Sequence, residues 1–188
     1  MATISKKYLN IIRKMCTINY KGKMKNRHLS VAIKNGNIIT SFKHNYLKNY
    51  VLGKMRGSLH AEMSVIQELL NIYAPSVGGS KNYFPWFISD DSNSFNSKRK
   101  QIVTSTDFKK LKKKLKNISI IVIRLCPKNP NKLLMSKPCM DCIETLKLMN
   151  IKNICYSTGN PINPFMVEKI KNIKSVHKCK MSRILNSS

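Results

Sequence analysis

The chain has 188 residues, 42% of them apolar, which suits one domain with a real core. No run approaches the ~20 apolar residues of a membrane span, and the N-terminal Met-Ala-Thr-Ile-Ser-Lys-Lys lacks an apolar signal region, so an intracellular protein is expected, with no membrane partner and no disulfide framework for its six cysteines. Against 8 Asp+Glu stand 35 Lys+Arg, a formal charge of +27, which points to contact with a polyanion such as DNA or RNA, or to AT-rich codon bias.

Residues 4–16 place Tyr8, Leu9, Ile11, Ile12 and Met15 near one face at helical period, which predicts an amphipathic helix. After a basic loop, Leu29–Lys34 reads as a strand, Asn35-Gly36 as a two-residue turn and Asn37–Phe42 as the return strand. Residues 43–57 are a polar loop. His60–Tyr73 repeats Met63, Ile66, Leu69, Leu70 and Tyr73 at helical spacing, with Ser58 a candidate N-cap. Residues 74–117 are irregular and read as an insertion, whose lysine-rich run Lys109–Lys116 has the makings of a short basic helix.

Ile118–Leu125 is β-branched and nearly continuous, as a buried central strand should be. A turn at Asn129–Lys132 and a short return at Leu133–Met135 follow. Pro138–Asn150 reads as a helix, Ile151–Ser157 as a strand and Phe165–Ile173 as a last helix, before a basic tail to Ser188. No internal repeat is visible. The alternation predicts one α/β domain over residues 1–188, its sheet covered by helices on both faces.

Two of these helices open on unusual residues, Leu59-His60-Ala61-Glu62 and Lys137-Pro138-Cys139-Met140-Asp141-Cys142. One imidazole and two thiols on two helix starts can close on one zinc ion and leave a fourth position for water, the arrangement of a catalytic site. Cys139 and Cys142 are three apart, so on a helix their thiolates face one way, and the positive end of the helix dipole favours their ionised form. Glu62, two residues past His60, is expected not to bind metal but to take a proton from the zinc-bound water and pass it on to the substrate.

His-x-Glu followed by Pro-Cys-x-x-Cys is the signature of zinc deaminases. The chain resembles the cytidine/deoxycytidylate deaminase superfamily in His28–Ile39, Gly57–Met63, Ser136–Cys142 and Ile151–Thr158, a coverage of roughly residues 28–160 outside the insertion. The resemblance implies a three-layer α/β/α sandwich around a mixed sheet of about five strands. It implies Zn²⁺ on His60, Cys139 and Cys142, Glu62 as the catalytic proton shuttle, and conversion of cytosine to uracil in a nucleotide such as deoxycytidylate. It also implies substrate contacts at Asn45 and Ala61, Asn49 being the other candidate for the first, and a homo-oligomer. The family pattern more often has Gly before that Asn, where this chain has Phe42-Lys43-His44, and the spacing from His60 to Cys139 is longer than usual.

Other residues have plainer readings. His28, His44 and His177 read as surface or structural, Cys16, Cys126 and Cys155 as small apolar residues near the core, and Asp141 as an acid suited to a first helical turn. Tyr83–Phe87 reads as an aromatic anchor for the insertion, with stacking on an exposed base as the alternative, and no role is assigned to Cys179. Lys109, Lys110, Lys112, Lys113 and Lys114 are candidate nucleic-acid contacts on a helix whose Leu111 and Leu115 supply an apolar edge. Two alternatives to a free nucleotide stand: base deamination in RNA or single-stranded DNA, and a non-catalytic nucleic-acid-binding or packaging protein keeping the fold. Adenosine in transfer RNA fits less well, since that branch has Glu where this chain has Lys137.

Overall fold

The computed structural model describes residues 4–18, 27–46, 50–51, 54–55, 59–73, 105–129 and 132–177. In chain order these form α1 (Lys6–Cys16), β1 (Arg27–Lys34), β2 (Asn37–Ile38), β3 (Lys43–His44), β4 (Tyr50–Val51), β5 (Lys54–Met55), α2 (Ala61–Tyr73), α3 (Ser105–Leu115), β6 (Ile118–Leu125), β7 (Leu133–Leu134), α4 (Met140–Leu148), β8 (Asn153–Ser157) and β9 (Phe165–Lys169). Ser58, Asn49, Tyr83–Phe87 and Cys179, singled out above, lie outside the described residues.

The β-branched run of β6 is the centre of a mixed α/β sheet. β6 is antiparallel to β1 from Arg27↔Leu125 to Lys34↔Ile118 and parallel to β8 from Ser119↔Asn153 to Val122↔Tyr156. The order is β2-β1-β6-β8-β9, with β3 also beside β1 and β7 beside β6, seven strands among the described residues. The parallel step needs a crossover, and α4 supplies it.

Alternate residues of a strand face opposite sides. Ile118, Ile120 and Val122 join Ala32, Ile154 and Tyr156 in the larger core, with Ile66 and Leu69 of α2, Leu111 and Leu115 of α3, and Ile143 and Leu146 of α4. Ile121, Ile123 and Leu125 turn the other way, with Val31, Ile33 and Cys155, and are covered by Ile11, Ile12 and Met15 of α1. Side chains of α2, α3 and α4 thus cluster with one set of strand residues and those of α1 with the other, and the α/β class is the one the alternation predicts. The Asn35-Gly36 turn is also where expected, with both residues at positive φ, 53° and 81°.

Four local expectations change. The return strand Asn37–Phe42 shrinks to β2, because Thr40 replaces the ladder: its hydroxyl accepts the Ala32 N–H at 2.9 Å, and pairing with β1 resumes only at β3. The polar loop predicted over 43–57 holds three short strands, β3, β4 and β5. Phe165–Ile173 is not a helix. Phe165 and Val167 pack toward the smaller core and Met166 toward the larger, a period of two, and β9 pairs antiparallel with the otherwise open edge of β8. Finally, α2 begins at Ala61 and α4 at Met140, so His60 stands just before its helix and Cys139 is the N-cap of its own.

Candidate metal centre

The parallel strand pair sets the position of the centre. β6 and β8 end on the same side, and the chain re-enters α4 there, in the crevice where α/β sheets commonly place their sites. Two buried serines fix the approach. Ser136 Oγ donates to Val122 O at 2.9 Å and accepts the Ser157 N–H at 2.9 Å, while the Ser136 N–H donates to Ser157 O at 2.8 Å. Ser157 Oγ donates in turn to Leu134 O. This clamp holds the segment that leads through Lys137 and Pro138 to Cys139. At the α4 start the Met140 N–H donates to His177 O at 2.9 Å, so the chain after β9 covers the opening of the helix.

The other side of the centre is held by a bridge between Tyr46 and Leu59, with N–H···O distances of 3.2 and 2.9 Å. His60 follows directly, and its carbonyl accepts the Ser64 N–H at 3.1 Å as α2 begins.

From these two helix starts three donors converge. His60 Nδ1 lies 3.3 Å from Cys142 Sγ and 3.5 Å from Cys139 Sγ, and the three donor atoms are all within 4.8 Å of one another. The group could hold a metal ion. A single imidazole nitrogen aimed at two sulfurs can satisfy at most one of them by donation. Both sulfurs and the nitrogen are satisfied together by a cation among them, and the mixed N/S donor set suits a soft or borderline divalent ion.

The electrostatics agree. The Cys142 thiol, with the His60 charge nearby, holds Cys139 well below the ordinary thiol range. Cys142 moves the other way: its hydrogen bond to Cys139 and its burial disfavour a second negative charge. The pair thus keeps one proton between its two sulfurs, which a metal cation displaces on binding. Glu62 is 4% exposed, and burial pushes its carboxyl up while the His60 charge opposes.

The structure brings His60, Cys139 and Cys142 together and couples Glu62 to them electrostatically. Ala61 is fully buried between His60 and Glu62 in sequence. Asn45 is buried beside Tyr46, and its side-chain oxygen accepts the His28 N–H at 2.9 Å. His28, His44 and His177 are not in the donor group. Cys155 is buried in the smaller core, whereas Cys16 and Cys126 are half-buried.

The lysines of α3 lie elsewhere. Lys109, Lys110, Lys113 and Lys114 are exposed and Lys112 is half-buried, while Leu111 and Leu115 are buried in the larger core. Lys112 O accepts from Asn150 just past α4, and Lys114 Nζ donates to Tyr73 O at the end of α2. The lysine-rich turn is therefore at the tail ends of the two helices whose starts lie at the His60, Cys139 and Cys142 group.

Sequence reasoning missed the Ser136–Ser157 clamp and the His177 carbonyl. A serine just before Lys137-Pro138-Cys139 was the available signal for the first; a backbone carbonyl leaves none. Comparison with family models, with curated proteins and with solved structures returned no match.

Proposed function

We propose that the protein is a zinc-dependent hydrolytic deaminase that converts cytosine to uracil in a nucleotide such as deoxycytidylate. The observation that carries this is the convergence of His60 Nδ1 and the two sulfurs of Cys139 and Cys142 within 4.8 Å of one another, with buried Glu62 two residues from the histidine. Helices on both faces of a mixed sheet are what a three-layer deaminase-like sandwich requires, and the order His60-x-Glu62 then Pro138-Cys139-x-x-Cys142 supports the same reading.

Zn²⁺ held by His60, Cys139 and Cys142 would supply the Lewis acidity that makes water nucleophilic near neutral pH. Glu62 takes one proton from the attacking water and delivers it to the ring nitrogen as the C4–O bond forms; it then takes the proton of the new C4 hydroxyl and delivers it to the amino group, so that the C4–N bond breaks, ammonia leaves and the C4 carbonyl forms. Its burial raises its proton affinity toward the working range of such a shuttle. Asn45 and Ala61 are the proposed contacts to the nucleotide.

The test is conversion of deoxycytidylate to deoxyuridylate by zinc-loaded protein, with Glu62→Ala alongside. Turnover by the wild type alone is expected; no turnover by either overturns the free-nucleotide reading. A second reading, base deamination within RNA or single-stranded DNA, is favoured by the net charge of +27 and is checked by the same assay on single-stranded oligonucleotides.

A further inference from the structure

Lysines scattered from position 7 to position 171 meet at one end of the molecule. Lys34 closes β1 opposite Ile118, the first residue of β6. Its Nζ sits 5.5 Å over the Tyr73 ring, and Lys114 Nζ donates to the carbonyl of the same residue at 3.3 Å. Lys116 stands in the turn between α3 and β6. The Lys152 N–H donates to Ile118 O at 2.8 Å, and its carbonyl accepts the Ile170 N–H at 3.1 Å, which brings the Lys171 turn alongside. The Lys7 side chain lies across Gly36 in the β1–β2 turn.

All but Lys34 are exposed. Beside Lys152 at this end opens a cleft of about 180 Å³ whose lining includes Tyr8, Asn35, Asn117, Ser119, Lys152 and Asn153. The carboxylates with described side chains are placed elsewhere. Glu62 is at the metal centre, Glu68 pairs with Lys43, Glu168 pairs with Lys137, and Asp141 and Glu144 are in the first half of α4. Like charges gathered with none of the described carboxylates among them repel one another, and an external polyanion relieves that repulsion.

We infer that this end of the molecule is a docking face for the phosphodiester backbone of a nucleic acid. Lysines around a cleft of amide and hydroxyl groups are the side chains that contact phosphate and sugar, and they carry no base readout. The face is separated from the metal centre by the length of α2, about 18 Å at 1.5 Å per residue from Ala61 to Tyr73. A strand held there is anchored, not presented to His60, Cys139 and Cys142. The face is independent of whether that centre deaminates.

The experiment measures binding of a short labelled DNA duplex and of its unpaired strand by fluorescence anisotropy over a salt series. Wild type is compared with the combined variant Lys116→Ala, Lys152→Ala and Lys171→Ala, exposed positions whose replacement leaves both cores intact. At low salt the variant should bind at least about tenfold more weakly, and the slope of log affinity against log salt should fall by about 2–3, at 0.7–0.9 per lost phosphate contact. Thermal melts confirm that both proteins are folded, and a Lys→Glu version of the same triple should weaken binding further. Unchanged affinity and slope in both triples overturns the assignment. So does binding to phosphatidylserine vesicles with none to either DNA.

Discussion

The proposed reaction gives His60 and Glu62, two residues apart, different roles as metal donor and proton carrier, and the two roles separate by mutation. Glu62→Ala should keep the bound metal, measured as metal per chain, while deaminase turnover falls by about 10²–10⁴, the range of a positioned acid–base group. Full turnover in that variant removes its assigned role. Cys139→Ala acts on the other half of the centre. One sulfur and one imidazole cannot hold the ion against chelator, so metal content should drop to background and the unfolding midpoint should fall with it. Undiminished metal content would falsify the donor assignment. The remaining thiols differ in a way alkylation can read. Burial pushes Cys155 up to about 12, whereas backbone N–H groups at Lys128 and Asn129 lower Cys126. Since the thiolate is the nucleophile, iodoacetamide at neutral pH should modify Cys126 in the native protein and reach Cys155 only after unfolding.

Among the elements, α3 shows how a lysine-rich run earns a place in a core. Leu111 and Leu115 are one turn apart and buried beneath exposed lysines. Leu115→Ala should destabilise the protein by about 2–5 kcal/mol in urea unfolding, as large-to-small changes in a packed core do. A change below 1 kcal/mol, the level of a surface substitution, would mean that α3 is not part of the core.

A second, weaker tie joins α2 to the segment after β2. Burial alone would raise Glu68. The Ser41 N–H, Lys43 and the Ser41 hydroxyl outweigh it and hold the carboxyl below its ordinary 4.5. A lowered folded pKa means that this tie stabilises the protein at neutral pH and is lost as pH falls through the acid range below 4.5. Its partial exposure limits the effect to about 1 kcal/mol or less, so Glu68→Gln should flatten the acid limb of the stability profile only slightly.

Elements with a strong period and clear punctuation were legible in the sequence: α1, the Asn35-Gly36 turn, α2, β6 and the α4–β8 unit. So was the His60, Cys139 and Cys142 group, because all three stand at or beside the start of a helix. What was not legible depends on partners distant in sequence. β9 looks helical until β8 offers it an edge, β2 is cut short by one hydroxyl on Thr40, and the Ser136–Ser157 clamp exists only once β6 and β8 lie side by side.

At the scale of the whole molecule, the two cores and the metal donors meet along one sheet, and no helix among the described residues is long and apolar enough to cross a membrane. Metal removal should therefore be felt globally. Chelation is expected to shift the thermal midpoint down in proportion to metal lost, with a single unfolding transition, because the donors sit on helices that also form the larger core.

The donors also lie far apart along the chain: Cys139 and Cys142 are 79 and 82 residues beyond His60. An ion held by all three ties the chain into a ring. In the chain-entropy picture used for disulfides, closing a ring of that size withholds about 4–5 kcal/mol of freedom from the unfolded chain. That figure grows only logarithmically, by about 0.6 kcal/mol for each doubling of the loop. The stretch between the ligands can thus lengthen or shorten over generations with almost no thermodynamic penalty to the ring, and a long spacing between His60 and Cys139 is no obstacle to the centre.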